Sequence, residues 1–311
     1  MTPSRSTSPS RGPASPRVTG FHEAESGSVQ YVVADPATGQ AALIDMVLDF
    51  DPAAGATATR SAEAVLDFVA AEGLTVAWIL DTHPHADHLM AAHWLRTRTG
   101  APMAIGARVH EIAELWAGLY HLPDAFDPGR DFDRLLGHGE TLALGETEIR
   151  VMLSPGHTLG SVSYLVGADA AFVHDTFLPV DAGTARADFP GGSARALWGS
   201  LQAILALPDA TRLFVGHDYG TKTRDTPAWE ATVAEQRASN AHIGTETCGR
   251  HGQAPSAADF IALRETRDAT LPLPQRMLHA LQVNLRGGRL PEPEADGQRY
   301  LKIPVNRFQP A

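Results

Sequence analysis

Residues 76–88 read VAWILDTHPHADH. The first part is a short apolar run of strand length, and it leads straight into Asp81-Thr82-His83. The second part places His83, His85, Asp87 and His88 almost side by side. At this chain's composition the pattern HxHxDH arises by chance in about two chains per thousand. Imidazole and carboxylate are ligands for zinc, iron or manganese. Residues two apart in an extended loop point the same way, so His83 and His85 can face one metal position. Asp87 and His88, at the start of an expected helix, can face a second. Pro84 stiffens the loop and lowers the entropy cost of ordering it. A polar loop fed by a buried strand is where sites of α/β folds belong, which favours a metal site over a surface histidine cluster.

Upstream of this stretch, Ser28–Ala34 and residues 41–45 read as two strands. Asp35-Pro36 and Thr38-Gly39 supply turn chemistry between them, so a hairpin is expected. Ala62, Val65, Leu66 and Val69 recur at helical spacing and stop at Gly73. Downstream, residues 89–98 look helical up to Gly100, and residues 102–105 fit a strand. Residues 106–139 are mixed and suggest a helical cover over a site. Residues 148–153, Val162–Val166, Ala170–His174 and residues 213–215 read as further strands. Ala194, Leu197, Trp198, Leu201, Ile204 and Leu205 form the cleanest helical stripe, with Ser193 as its N-cap. Residues 227–240 and 256–270 are expected helices. Strands and helices in this order, with polar motifs at strand ends, suit an α/β layered sandwich.

Three of those strand ends carry further ligand types. His157 lies in Ser154-Pro155-Gly156-His157-Thr158, Asp175 in His174-Asp175-Thr176, and His217 in Gly216-His217-Asp218-Tyr219. A lone His or Asp after a strand is usually a loop or capping residue; the set in this order is far more specific. It resembles the ligand motifs of the metallo-β-lactamase superfamily, which map onto His83, His85, Asp87, His88, His157, Asp175 and His217. The resemblance implies a four-layer αβ/βα sandwich with the metal site at one edge. Residues 44–52 (IDMVLDFDP), 82–88, 183–189 (GTARADF), 217–219 and 283–287 (VNLRG) further resemble the glutathione-dependent persulfide dioxygenases, over roughly residues 21–290.

What that branch implies is one Fe(II) per chain held by His83, His157 and Asp175. A two-histidine, one-carboxylate face with open positions suits non-haem iron and O2. His85, Asp87, His88 and His217 would then support the reaction from around the metal or form an unfilled second site, with Tyr219 as a hydrogen-bond donor or a packed wall. Arg186 would hold a carboxylate of glutathione persulfide, or form a structural ion pair with Asp188 or Asp181. The expected products are sulfite and glutathione. Two positions depart from the pattern: 174 is His where Gly is expected, and 187 is Ala where Cys or Thr is common. The alternative on the same ligands is a hydrolase with two Zn(II) ions per chain, acting on a glutathione thioester or a lactone. A non-catalytic metal-binding protein is a third reading, disfavoured by the complete ligand set. The other histidines, among them His93, His110, His121 and His138, read as solvent-facing or structural, and Trp94, Trp198 and Trp229 as core.

Composition bounds the rest. A formal net charge of −11 argues against a nucleic-acid partner. Cys248 is the one cysteine, which excludes an intrachain disulfide and a cysteine-based zinc site, and leaves a cytoplasmic setting as the natural expectation. No apolar run is long enough to cross a bilayer, so no membrane partner is expected. Residues 1–17, rich in Ser, Pro and Arg, read as a disordered tail. Residues 18–245 are expected to form the metallo-β-lactamase-type domain, and residues 246–311 a helical extension packed on it. A homodimer completes the expectations.

Overall fold

The computed structural model describes residues 4–248 and 253–308. In its N-terminal half the chain runs β1 (Ser4–Ser8), β2 (Arg17–Glu23), β3 (Ser28–Ala34), β4 (Gln40–Ile44), β5 (Val47–Asp51), β6 (Ala56–Ala58), α1 (Arg60–Ala71) and β7 (Thr75–Asp81). It continues through β8 (Leu89–Met90), α2 (Ala92–Thr99), β9 (Met103–Gly106), α3 (Val109–Tyr120), α4 (Pro128–Asp131) and β10 (Arg134–Leu136). The second half holds β11 (Thr141–Leu144), β12 (Thr147–Leu153), β13 (Val162–Val166), β14 (Ala170–His174), α5 (Ala194–Leu205), β15 (Arg212–Val215), β16 (Glu230–Thr232), α6 (Val233–Ser239), α7 (Ala257–Asp268) and α8 (Met277–Asn284).

Among the described residues these strands form a seven-stranded sheet, β1-β2-β3-β4-β7-β9-β10, and a six-stranded sheet, β11-β12-β13-β14-β15-β16. A small ribbon, β6-β5-β8, stands beside them. Strand alternation explains how both faces of each sheet are covered. In β3, Val29, Tyr31 and Val33 enter the core between the sheets, while Val32 and Ala34 enter the core under α1, α2, α3 and α8. In β14, Ala170 and Phe172 join the inter-sheet core, while Ala171 and Val173 face the core under α5, α6 and α7. The result is the expected layered α/β sandwich, helices outside and two sheets inside.

The hairpin β3–β4 pairs antiparallel as expected, and Ser193 caps α5 by accepting a hydrogen bond from the Ala196 amide. Four expectations change. Residues 89–98 are split into β8 and α2, because Leu89 and Met90 pair with β5 before the helix begins. Residues 227–240 are not one helix: Glu230–Thr232 joins the sheet edge beside β15, and the helix starts only after it. The Thr232-x-x-Glu235 capping box marked that start in the sequence. The N-terminal stretch is not a disordered tail over its described part. β1 pairs with β2 from Ser4↔His22 to Ser8↔Val18, and the buried Arg212 side chain binds Ser8 Oγ, the Pro9 carbonyl, Ser15 Oγ and the Pro16 carbonyl. At the other end α7 and α8 pack on the helix-side cores, but residues 285–308 hold neither helix nor strand. No described helix is long and apolar enough to cross a membrane.

Candidate metal centre

β7 runs parallel to β4 in one sheet and β14 parallel to β15 in the other, and the closeness of the side chains that follow β7, β14 and β15 puts these strand ends at one edge of the sandwich. His83 follows β7, His157 follows β12, Asp175 follows β14 and His217 follows β15. The two sheets are tied together there by the Val29 amide on the Gly216 carbonyl and the Asp218 amide on the Gly27 carbonyl, each at 2.8 Å. Two glycines let the loops that carry His157 and His217 pack closely on their neighbours. A Cβ at Gly156 would sit 2.2 Å from the Leu197 nitrogen, and one at Gly216 would sit 2.9 Å from Asp175 Oδ1.

The donors fall into overlapping groups whose ligand atoms lie within 4.8 Å of one another: His83, His157 and Asp175; His85, Asp87, His88 and His217; and Asp45, Asp81 and His85. In the first, Asp175 Oδ2 is 3.3 Å from His157 Nε2 and 3.7 Å from His83 Nε2. Hydrogen bonding sets the faces these rings present. His157 Nδ1 lies 2.8 Å from the Arg186 carbonyl, which only accepts, so Nδ1 carries the proton and the Nε2 lone pair faces Asp175. The Thr82 hydroxyl donates to Asp45 and lies 3.0 Å from His83 Nδ1. It then accepts from Nδ1, which leaves His83 Nε2 as a lone pair, buried and without a hydrogen-bond partner. Burial and the neighbouring imidazoles hold His83 well below the usual histidine range, hence neutral. A buried neutral nitrogen with no partner, beside a carboxylate and a second imidazole, fits a metal ion.

The second group is internally bonded. Asp87 Oδ2 lies 2.7 Å from His217 Nε2 and 3.0 Å from His88 Nδ1, and accepts from Ser28 Oγ at 2.7 Å. His217 Nδ1 lies 2.5 Å from Asp175 Oδ1. Burial opposes charge on His217, but Asp175 and Asp87 on either side raise it well above the ordinary histidine value. Asp87 is held well below the usual carboxylate range: burial opposes this, and His217 and His88 outweigh it. His85 leans the other way. Its Nε2 is 3.1 Å from Asp45 Oδ1, an ion-pair contact without the alignment of a hydrogen bond.

Sequence reasoning singled out neither Asp45 nor Ser28. Asp45 sits at φ 54°, a left-handed conformation that Asp tolerates, and its carboxylate takes the Thr82 amide at 2.7 Å. Asn284 of α8 was also missed as a structural residue. Its amide donates to the His85 and His88 carbonyls at 2.7 and 2.8 Å, and its oxygen accepts from the Met90 amide. It lies in the 283–287 motif, which was the available signal.

His174 has φ 39°, a backbone setting that suits the Gly expected there. Its Nε2 contacts Ser154 and Thr176, and burial lowers it to about 3. Ala187 is buried under α5, its amide donating to Asp268. A cavity of about 670 Å³ opens onto Ala86, Asp87, His157 and Asp175. Tyr219 lines it, its ring stacked on His217 at 5.4 Å. Arg186 lines it too, but its guanidinium is committed to both oxygens of Asp188 at 2.6 and 2.8 Å and to the Pro272 carbonyl at 2.6 Å. The structure therefore has the ion pair that the sequence set against a substrate role. Asp181 pairs with Arg224 instead.

Residues 25–217 match the profile of the metallo-beta-lactamase superfamily. A beta-lactamase hydrolase-like protein of Xylella fastidiosa is 55% identical over 296 residues, 95% of this chain and 66% of that protein. The chain thus spans just under two thirds of that relative's length. A hydroxyacylglutathione hydrolase of Bradyrhizobium sp. is 34% identical over 190 residues, 61% of this chain and 62% of that protein. Among solved structures, ETHE1 from Myxococcus xanthus superposes with a TM-score of 0.67 at 29% identity, over 87% of this chain and 98% of that one.

Proposed function

The chain belongs to the metallo-β-lactamase superfamily, and from that premise we propose that it is a mononuclear iron enzyme that oxidises glutathione persulfide with O2. The observation that carries the reading is the division of the donors. His83, His157 and Asp175 form a two-imidazole, one-carboxylate set beside the cavity, while Asp87, His88 and His217 are bonded to one another through Ser28 and to Asp175. The likeness to ETHE1 over nearly all of that chain and the relative named for a glutathione substrate support the same direction.

The overall change is glutathione persulfide plus O2 and water giving glutathione, sulfite and two protons. When bound, Fe(II) supplies open coordination positions for sulfur and O2 and the electrons that activate O2. The chain's own contribution is orientation and proton handling. The Arg186 carbonyl fixes the His157 ring, Thr82 and Asp45 fix His83, and His217 fixes Asp175. Asp87 lines the cavity with a proton held between its Oδ2 and His217 Nε2, where it can be passed to or from a bound group. Phe189, edge-on to His157 at 5.3 Å, shields the ring from bulk water.

Metal analysis of protein purified without air, followed by O2 uptake with glutathione persulfide, tests the reading. The expected result is about one iron per chain and sulfite formed as O2 is consumed. His83→Ala, His157→Ala and Asp175→Ala should each lose the iron. The second reading, a dinuclear zinc hydrolase, is kept by one observation: His85, Asp87, His88 and His217 also lie close enough to share an ion. Two tightly held zinc ions with hydrolysis of a glutathione thioester, and no O2 uptake, would replace the first reading with the second.

A further inference from the structure

We infer that the substrate's charged ends are received by Arg276, Glu25 and Arg267, which makes the segment around α7 and α8 a specificity element for a zwitterionic, dianionic thiol peptide. The inference rests on the glutathione reading above and adds to it the residues that recognise the peptide. Asp87 and Asp175 give the cavity acidic lining. The same lining includes four arginines, Arg186, Arg264, Arg267 and Arg276. Two of these are already used. Arg186 is bound to Asp188 and Pro272, and Arg264 is buried against Asp268 at 2.8 Å with a further bond to the Thr184 carbonyl.

The other two have unspent donors. Arg267 is exposed, and its side chain has no hydrogen bond or ion pair among the described residues. Arg276 is different in kind. Its side chain is only 17% exposed, and its one partner is Glu25 at 3.3 Å, a residue 68% exposed. Its Nε is buried with no hydrogen-bond partner at all. A buried guanidinium nitrogen without an acceptor is costly to leave so, and the Arg276 side chain lines the cavity. A carboxylate arriving there meets a planar fork that binds it through two parallel bonds.

Glu25 lines the same cavity. Arg276 and Glu25 together present one positive and one negative group side by side. That pair complements an amino-acid head, whose carboxylate and ammonium lie on one carbon. Arg267 remains for a lone carboxylate at the other end of the ligand. Glutathione has such a head, a lone terminal carboxylate and a central thiol. A cavity of about 670 Å³ has the size of sites that enclose ligands of this class.

The test is calorimetric binding of S-methylglutathione and of its diethyl ester to the metal-loaded protein, so that no turnover is needed. The parent protein should prefer the free acid. Arg276→Gln and Arg267→Gln should each weaken free-acid binding about ten- to hundredfold, as expected for losing a charged hydrogen-bond pair, and leave the ester nearly unchanged. Glu25→Gln should weaken S-methylglutathione but not its N-acetyl derivative. Arg267 is exposed, so its variant keeps the test decisive should Arg276→Gln fail to fold. If the parent discriminates acid from ester and the arginine variants do so equally well, the assignment to these residues is wrong while the glutathione reading stands. If the parent binds neither probe, both fall.

Discussion

At the residue scale, the centre is held by side chains that touch no substrate. Asn284 shows this best. It is fully buried and satisfies three backbone groups of the histidine loop, the His85 and His88 carbonyls and the Met90 amide. Asn284→Asp keeps the acceptor for Met90 but sets an oxygen against two carbonyls. Each buried acceptor left unpaired costs roughly 1–3 kcal/mol. The variant should therefore lose metal to a chelator at least about tenfold more readily than the parent. An unchanged chelator competition would show that the loop holds its shape without α8. The motif that contains Asn284 was visible in the sequence, but its role was not, because the loop it holds lies some two hundred positions earlier in the chain. The same is true of Arg186. Its place in the 183–189 motif was legible, whereas its commitment to Asp188 and the Pro272 carbonyl depends on where the segment after α7 runs.

At the scale of elements, periodicity found the central strands and several helices, but it left the buried β2 and α8 unread, took β8 for a helix start, and gave no sign of β1. β1 is exposed along most of its length, and its pairing with β2 uses backbone groups that any sequence provides. What fixes it is remote: Arg212 at the start of β15, paired with Asp169 and bonded to Ser8, Pro9, Ser15 and Pro16. Arg212→Lys preserves a positive charge near Asp169 but lacks the fork that reaches these groups. Hydrogen exchange at the amides of Ser4–Ser8 should then quicken by about tenfold or more, with β14 unchanged. Unaltered exchange in β1 would mean that strand pairing alone holds it. The division of residues 227–240 has a similar cause. Glu230–Thr232 becomes a strand because the edge of β15 is open to it, not because of its own composition.

For the whole molecule, stability should depend on pH through His242. It is 5% exposed, and its Nδ1 accepts the Thr184 amide at 2.9 Å, which requires a neutral ring. Burial, helped by Arg264 and Arg267, lowers it to about 3 from an ordinary 6.5. Between those values the unfolded chain takes up a proton that the folded chain refuses. Stability therefore falls as pH falls below about 6.5, by up to about 1.4 kcal/mol per unit, down to the folded value. His242→Gln keeps an acceptor and removes the titration, so its urea-unfolding free energy should decline less steeply from pH 6 to 4 at equal metal loading. Parallel curves would show that His242 titrates as it does in the unfolded chain. By itself the sequence determined the layered α/β class, the main strands and the positions of the candidate metal-binding side chains, because alternation, helical spacing and the HxHxDH pattern are local and physically constrained. Only the tertiary structure decided which donors share a face. It turned His85 toward Asp45, joined Asp87 to His217 through the meeting of two sheets, and left Arg276 with unspent donors at the cavity wall. Those outcomes depend on distances between segments far apart in the chain, which no local pattern encodes.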